Sequence, residues 1–204
     1  MSSHDIDRRA VLRLLSAAPV AAGFAFSAAD AQEAHRHARA AVETAQGAGA
    51  AFTPRFFTTD EYEMVRILCD LIIPRDERSG SATDAGVPEF MDFIMVARPA
   101  GQVAMRGGLA WLDHECERRF DARFVEATDA RRRSVLDDIS GPEDPEDRLS
   151  QGRAFFRSFR DLTASGFWTS KMGIEDLEYM GNTFVPEWKG CPPEVLKKLG
   201  LARE

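Results

Sequence analysis

Apolar residues return at helical spacing in one segment of this 204-residue chain after another, and no stretch alternates apolar with polar long enough to make a sheet. That pattern restricts the fold to the all-α class. The first segment opens on Thr58-x-x-Glu61, a capping box in which the Thr hydroxyl accepts from the N–H of Glu61 while the Glu carboxylate returns to the N–H of Thr58. Tyr62, Val65, Cys69 and Ile72 then recur on one face until Pro74 stops the helix. Pro88 suits the first turn of a second helix running to about Val96, with Phe90, Phe93 and Ile94 on one side. A third, roughly 102–120, carries Leu109, Leu112, Cys116 and Phe120 on a stripe with Trp111 beside it, and its Gly107-Gly108 pair admits a close neighbour or a kink. Thr128 is placed to cap a short fourth helix with Val135, Leu136 and Ile139 inward. A fifth, about 150–165, sets Phe155, Phe156, Phe159 and Leu162 at a helical interval. The expected fold is a small bundle of about five helices with an irregular, aromatic-rich C-terminal arm.

The arm begins at Phe167. It sets Trp168, Tyr179, Phe184 and Trp188 among Gly173, Gly181, Gly190, Pro186, Pro192 and Pro193, a mixture suited to a broad apolar surface on non-helical backbone. Two placements stay open: the arm caps the chain's own core, or it lies against another chain.

At the other end, residues 1–31 have the layout of a twin-arginine export signal. Arg8 and Arg9 are followed by an apolar pair and Arg13, then by a weakly apolar region rich in Ala. Ala29-Asp30-Ala31 offers a small-x-small cleavage site, so the mature chain is expected to begin near Gln32. Asp7 stands where a small polar residue is usual, and Asp5 and Asp7 dilute the basic end. Residues 32–51, rich in Ala, Gln and Gly, read as a flexible linker or weak helix before a helical domain over 52–204. The formal charge of −7 argues against nucleic acid or an anionic lipid surface as a partner. No apolar run reaches the roughly 18 to 20 residues that cross a bilayer without a helix breaker in it, so contact with a membrane is expected only through partners.

Reactive chemistry is hard to find. His35-x-His37 lacks further metal ligands, and a solvated pair is the plainer reading. His114-Glu115 opens like a zinc-protease helix, but Arg118 stands where the second His belongs. The paired acids Asp137-Asp138 and Glu175-Asp176 point different ways on a helix and read as surface charge. Three cysteines allow at most one internal disulfide. Cys69 and Cys116 fall on apolar faces as small core residues, whereas Cys191, in the loop 189–192, is either a bond to another chain or a plain buried thiol. An export route for folded proteins on a chain without a cofactor motif suggests that the cargo belongs to a partner.

Several stretches carry a family likeness. Phe56-Phe57-Thr58-Thr59-Asp60-Glu61 through Leu71-Ile72-Ile73-Pro74, Ala85-Gly86-Val87-Pro88-Glu89-Phe90, Thr169-Ser170-Lys171-Met172-Gly173-Ile174, Tyr179-Met180-Gly181-Asn182 and Trp188-Lys189-Gly190-Cys191-Pro192 resemble the gluconate 2-dehydrogenase small-subunit (subunit 3) family over about residues 52–201. The resemblance implies a periplasmic subunit of a membrane-associated sugar or polyol dehydrogenase. In such complexes a large flavoprotein of the glucose-methanol-choline type binds FAD and oxidises the substrate, and a haem c subunit or another acceptor takes the electrons. The small subunit carries the export signal and stabilises the large one, and holds no cofactor or catalytic residue of its own. On that expectation Trp168, Tyr179, Asn182, Phe184 and Trp188 contact the partner, and Cys191 is the candidate for an intersubunit disulfide. The competing expectation is a free-standing periplasmic sugar-binding or catalytic helical protein with the arm as a lid.

Overall fold

A computed structural model describes residues 27–141, 148–179, 181, 186–187 and 190–201. Among them are eight α-helices and no strand: α1 (Ala28–Gly47), α2 (Thr59–Ile72), α3 (Val87–Ala97), α4 (Gln102–Phe120), α5 (Asp129–Ile139), α6 (Ser150–Thr169), α7 (Lys171–Asp176) and α8 (Pro193–Lys198). The all-α expectation holds, and α2 to α6 are the five expected helices.

Helix α3 is the hub. Gly86 enters it at φ 79°, a left-handed turn that glycine adopts without a steric penalty, and Pro88 occupies its first turn. Val87, Phe90, Met91, Ile94 and Met95 are buried, so little of its circumference reaches solvent. α1, α2 and α6 pack around it. Asp92 is its one buried charge. Its carboxylate accepts from the N–H groups of Arg55 (2.9 Å), Phe56 (2.9 Å) and Phe57 (3.1 Å), which fastens the entry to α2 onto α3.

The capping box of α2 forms as the residues predict, with Thr58 N–H on Glu61 Oε2 at 2.8 Å and Glu61 N–H on Thr58 Oγ1 at 3.2 Å. The same carboxylate takes Arg106 from α4 at 2.9 Å, and Arg106 also donates to the Phe56 carbonyl at 2.7 Å. Residues 55–61 are thereby held by α3 and α4 together. α4 and α6 interlock through glycine. Gly108 of α4 receives the Phe155 ring, and Gly152 of α6 receives the Trp111 ring. Gly107 faces open space, so the glycine pair splits into one packing site and one bystander. Thr128 stands at the N-cap of α5 but makes no side-chain capping bond, contrary to expectation.

Two other expectations are corrected. Residues 28–47 form a helix, so of the two readings left open for 32–51 the helical one describes 32–47 and the flexible linker only 48–51. Ser27 and Asp30 make a second capping box, Ala31, Ala34 and Ala38 are buried, and Asp30 pairs with Arg98 at 2.6 Å. His35 stacks on Phe90 with ring centroids 4.6 Å apart, and His37 on Phe93 at 4.8 Å. Alanine makes a ridge too small to register as an amphipathic stripe, yet it lets α1 lie close to α3 while the two imidazoles grip either flank. The His-x-His motif is thus a packing device. Secondly, the C-terminal arm is helical at its start. Phe167, Trp168 and Thr169 finish α6, and α7 follows after a single residue.

Candidate partner-docking surface

The corner between α6 and α7 is built around Ser170. Its hydroxyl donates to the Phe167 carbonyl at 2.7 Å and accepts from the N–H of Gly173 at 3.0 Å, which ends one helix and caps the next. Gly173 is buried so close against the Phe167 carbonyl that a Cβ there would overlap it, which lets α7 fold tightly back on the end of α6. α7 closes at Glu178, a non-glycine residue at φ 51°, with the N–H of Tyr179 donating to the Ile174 carbonyl at 3.1 Å. That bond completes a Schellman motif in which Glu178 takes the position usually given to glycine. Arg78 donates to the Asp176 carbonyl and ties the corner to the loop after α2.

This corner divides its apolar residues between inside and outside. Phe167 is buried and packs edge-on against Trp168, centroids 4.9 Å apart. Trp168 is 38% exposed, Ile174 40%, Leu177 55% and Tyr179 57%. Four large apolar side chains within residues 168–179 therefore face water from a backbone that is well pinned. An ordered apolar surface of this kind is what a docking partner covers. Sequence reasoning had Trp168 and Tyr179 and missed Ile174 and Leu177; their spacing of three on a short helix after Gly173 was the available signal. Val195 and Leu199 on and after α8 are exposed too, and no residue of α8 is buried. Asn182, Phe184 and Trp188 lie outside the described residues, as do Arg8 and Arg9. Cys191 is an exposed free thiol, which removes the buried-thiol reading; Cys69 and Cys116 are buried. Burial pushes the Cys69 thiol well above its ordinary range and that of Cys116 to about 11, so neither is a nucleophile at neutral pH.

Two cavities flank α1. One, about 530 Å³, is bounded by His35, Arg39 and Glu43 of α1, by Glu89, and by Lys171 and Glu175 of α7. Glu89 accepts from the Tyr62 hydroxyl at 2.8 Å. The other, about 560 Å³, is apolar and bounded by alanines of α1 with Phe52, Phe93 and Val96. His114 is exposed, whereas Glu115 is a buried anchor that accepts from Arg118, Arg119 and Arg148. Its hydrogen bond from Arg118 leads in holding that carboxyl far below the usual carboxylate range. Among the described residues no group of three or more His, Cys, Asp and Glu side chains is placed to hold a metal ion, and no helix is long and apolar enough to cross a membrane.

The described residues thus form an all-α domain with a pinned, solvent-facing apolar corner. The profile of the family described as gluconate 2-dehydrogenase subunit 3 matches residues 59–186, and the chain belongs to that family. The match runs from the first residue of α2 through the α6–α7 corner and leaves α1 outside it. No curated protein and no solved structure matches the chain significantly.

Proposed function

We propose that this chain is the non-catalytic small subunit and export escort of a periplasmic, FAD-dependent carbohydrate dehydrogenase of the glucose-methanol-choline type. It holds the FAD-binding large subunit through the α6–α7 corner, and a cytochrome c subunit is a further partner of the same complex. The observation that carries the reading is the exposed set Trp168, Ile174, Leu177 and Tyr179 on a rigid corner, in a family whose very name is that of a subunit. Aromatic anchors of this kind dominate the energetics of protein interfaces. The arginine pair Arg8-Arg9 supports carriage of a folded partner across the inner membrane. The complex is then peripheral to that membrane through its other subunits.

Co-expression with a candidate flavoprotein large subunit tests the proposal. The flavoprotein is expected in the periplasm with this chain and in the cytoplasm when Arg8 and Arg9 are both replaced by Lys. Periplasmic flavoprotein activity that is indifferent to those replacements rules the escort role out.

The cavity of about 530 Å³ beside α7 favours a second reading, a free-standing sugar-binding protein. Calorimetry of the purified chain with monosaccharides separates the two, because saturable heat without the flavoprotein present supports only the second.

A further inference from the structure

Resting on the export reading above, we propose that the bond after Ala31 is not a processing site, and that residues 27–31 stay in the mature protein as the capped first turn of α1. By composition Ala29-Asp30-Ala31 satisfies a signal peptidase. Folding withdraws it. A peptidase must lay the residues on either side of the scissile bond along its cleft as extended chain, and here they are helical. Ser27 Oγ accepts from the N–H of Asp30 at 3.2 Å, Asp30 Oδ2 accepts from the N–H of Ser27 at 2.7 Å, and the N–H of Ala31 donates to the Ser27 carbonyl at 3.0 Å. Asp30 is held a second time by Arg98 at the end of α3, at 2.6 Å. Ala31 is fully buried, and one turn further on Ala34 is fully buried and His35 is stacked on Phe90.

Timing makes this decisive. A chain exported unfolded offers its cleavage site as extended backbone whatever the native fold. The twin-arginine route moves chains already folded, so the peptidase meets α1 docked on α3. Cutting after Ala31 would also delete the Ser27–Asp30 cap and the ion pair to Arg98, leaving α1 to begin with uncapped N–H groups. Any cut that does occur falls upstream, before Ser27.

The full chain, co-expressed with its flavoprotein in a host with twin-arginine export, is recovered from the periplasmic and membrane fractions for intact mass and N-terminal peptide mapping. The first residue is expected at or before Ser27; a first residue after Ser27, Gln32 included, overturns the proposal. A second arm tests the cause and does not need export. Purified full-length wild type and the Ser27→Ala/Arg98→Ala double variant are incubated with signal peptidase in detergent, and the variant is expected to be cut after Ala31 at least tenfold faster. Equal rates overturn shielding by the fold. Were the chain to stay in the cytoplasm, the export reading would fall while this second arm still decided the shielding.

Discussion

Gly108 of α4 lies under the ring of Phe155 of α6 so closely that a Cβ at 108 would overlap the ring. One turn along, Trp111 of α4 sits in the same way on Gly152 of α6, so each helix supplies one ring and one gap. Interhelical distance at this crossing is set by the missing side chains.

The glycine pair in α4 therefore separates packing from propensity. Gly108→Ala gains roughly 1 kcal/mol of helix propensity and incurs an overpacking cost of roughly 1–3 kcal/mol, so it is expected to lower the denaturation midpoint. Gly107→Ala meets nothing within 4 Å and is expected to raise the midpoint, through a gain of about 0.5–1 kcal/mol in unfolding free energy. Urea denaturation of the two variants must give opposite signs; a stabilised Gly108→Ala would mean that the α4–α6 contact is looser than described.

Asp92→Asn is nearly isosteric and should still be costly. Two of the three N–H groups that converge on Asp92 share Oδ1 and the third takes Oδ2, and an amide nitrogen cannot accept from either set. Loss of charge-assisted bonds in a buried site is expected to destabilise by about 2–4 kcal/mol. Hydrogen exchange should locate the damage at residues 55–57 before α3 itself opens.

Acid is expected to loosen α1. Burial, followed by the nearby Arg39 charge, pulls the His35 imidazole below its ordinary value of 6.5 against the opposing effect of the Gly166 backbone. The unfolded chain therefore binds this proton more readily than the folded one. The contribution of neutral His35 is fully present above about pH 6.5 and is lost as pH falls below it. The ring also shares a 2.9 Å hydrogen bond with Thr169 Oγ1, whose proton goes to the Ser165 carbonyl. Between pH 7.5 and 5.5 the wild type should lose more thermal stability than His35→Gln, and parallel curves for the two would count against this assignment.

Trp168 and Tyr179 are expected to matter to the partner more than to the fold. Tyr179 is mostly exposed and Trp168→Ala removes only the edge-on packing on Phe167, so the circular-dichroism melt should shift little, while affinity for the proposed flavoprotein partner should fall at least tenfold for the pair, about 1.4 kcal/mol or more. Unchanged co-purification of the double variant would move the docking surface elsewhere on the chain.

Much of this architecture was legible in the residues themselves. Thr58-x-x-Glu61, Pro74, Pro88 and the Phe155–Phe159–Leu162 interval mark where helices start, stop and face, because capping, the missing proline N–H and the 3.6-residue period act within one or two turns of chain. Trp168 and Tyr179 stood out for the same local reason, as large apolar groups near glycine and proline. What only the tertiary structure decided is where weakly marked segments go. Residues 28–47 carry too little apolar surface to announce a face, and their helix is fastened by partners from distant sequence: Phe90, Phe93, Arg98 and Thr169. Likewise, nothing local tells that Gly108 yields to Phe155 while Gly107 yields to nothing, or that Phe167 turns inward and Trp168 outward. Those outcomes depend on which surfaces meet when helices pack, and packing joins residues that chain order keeps apart.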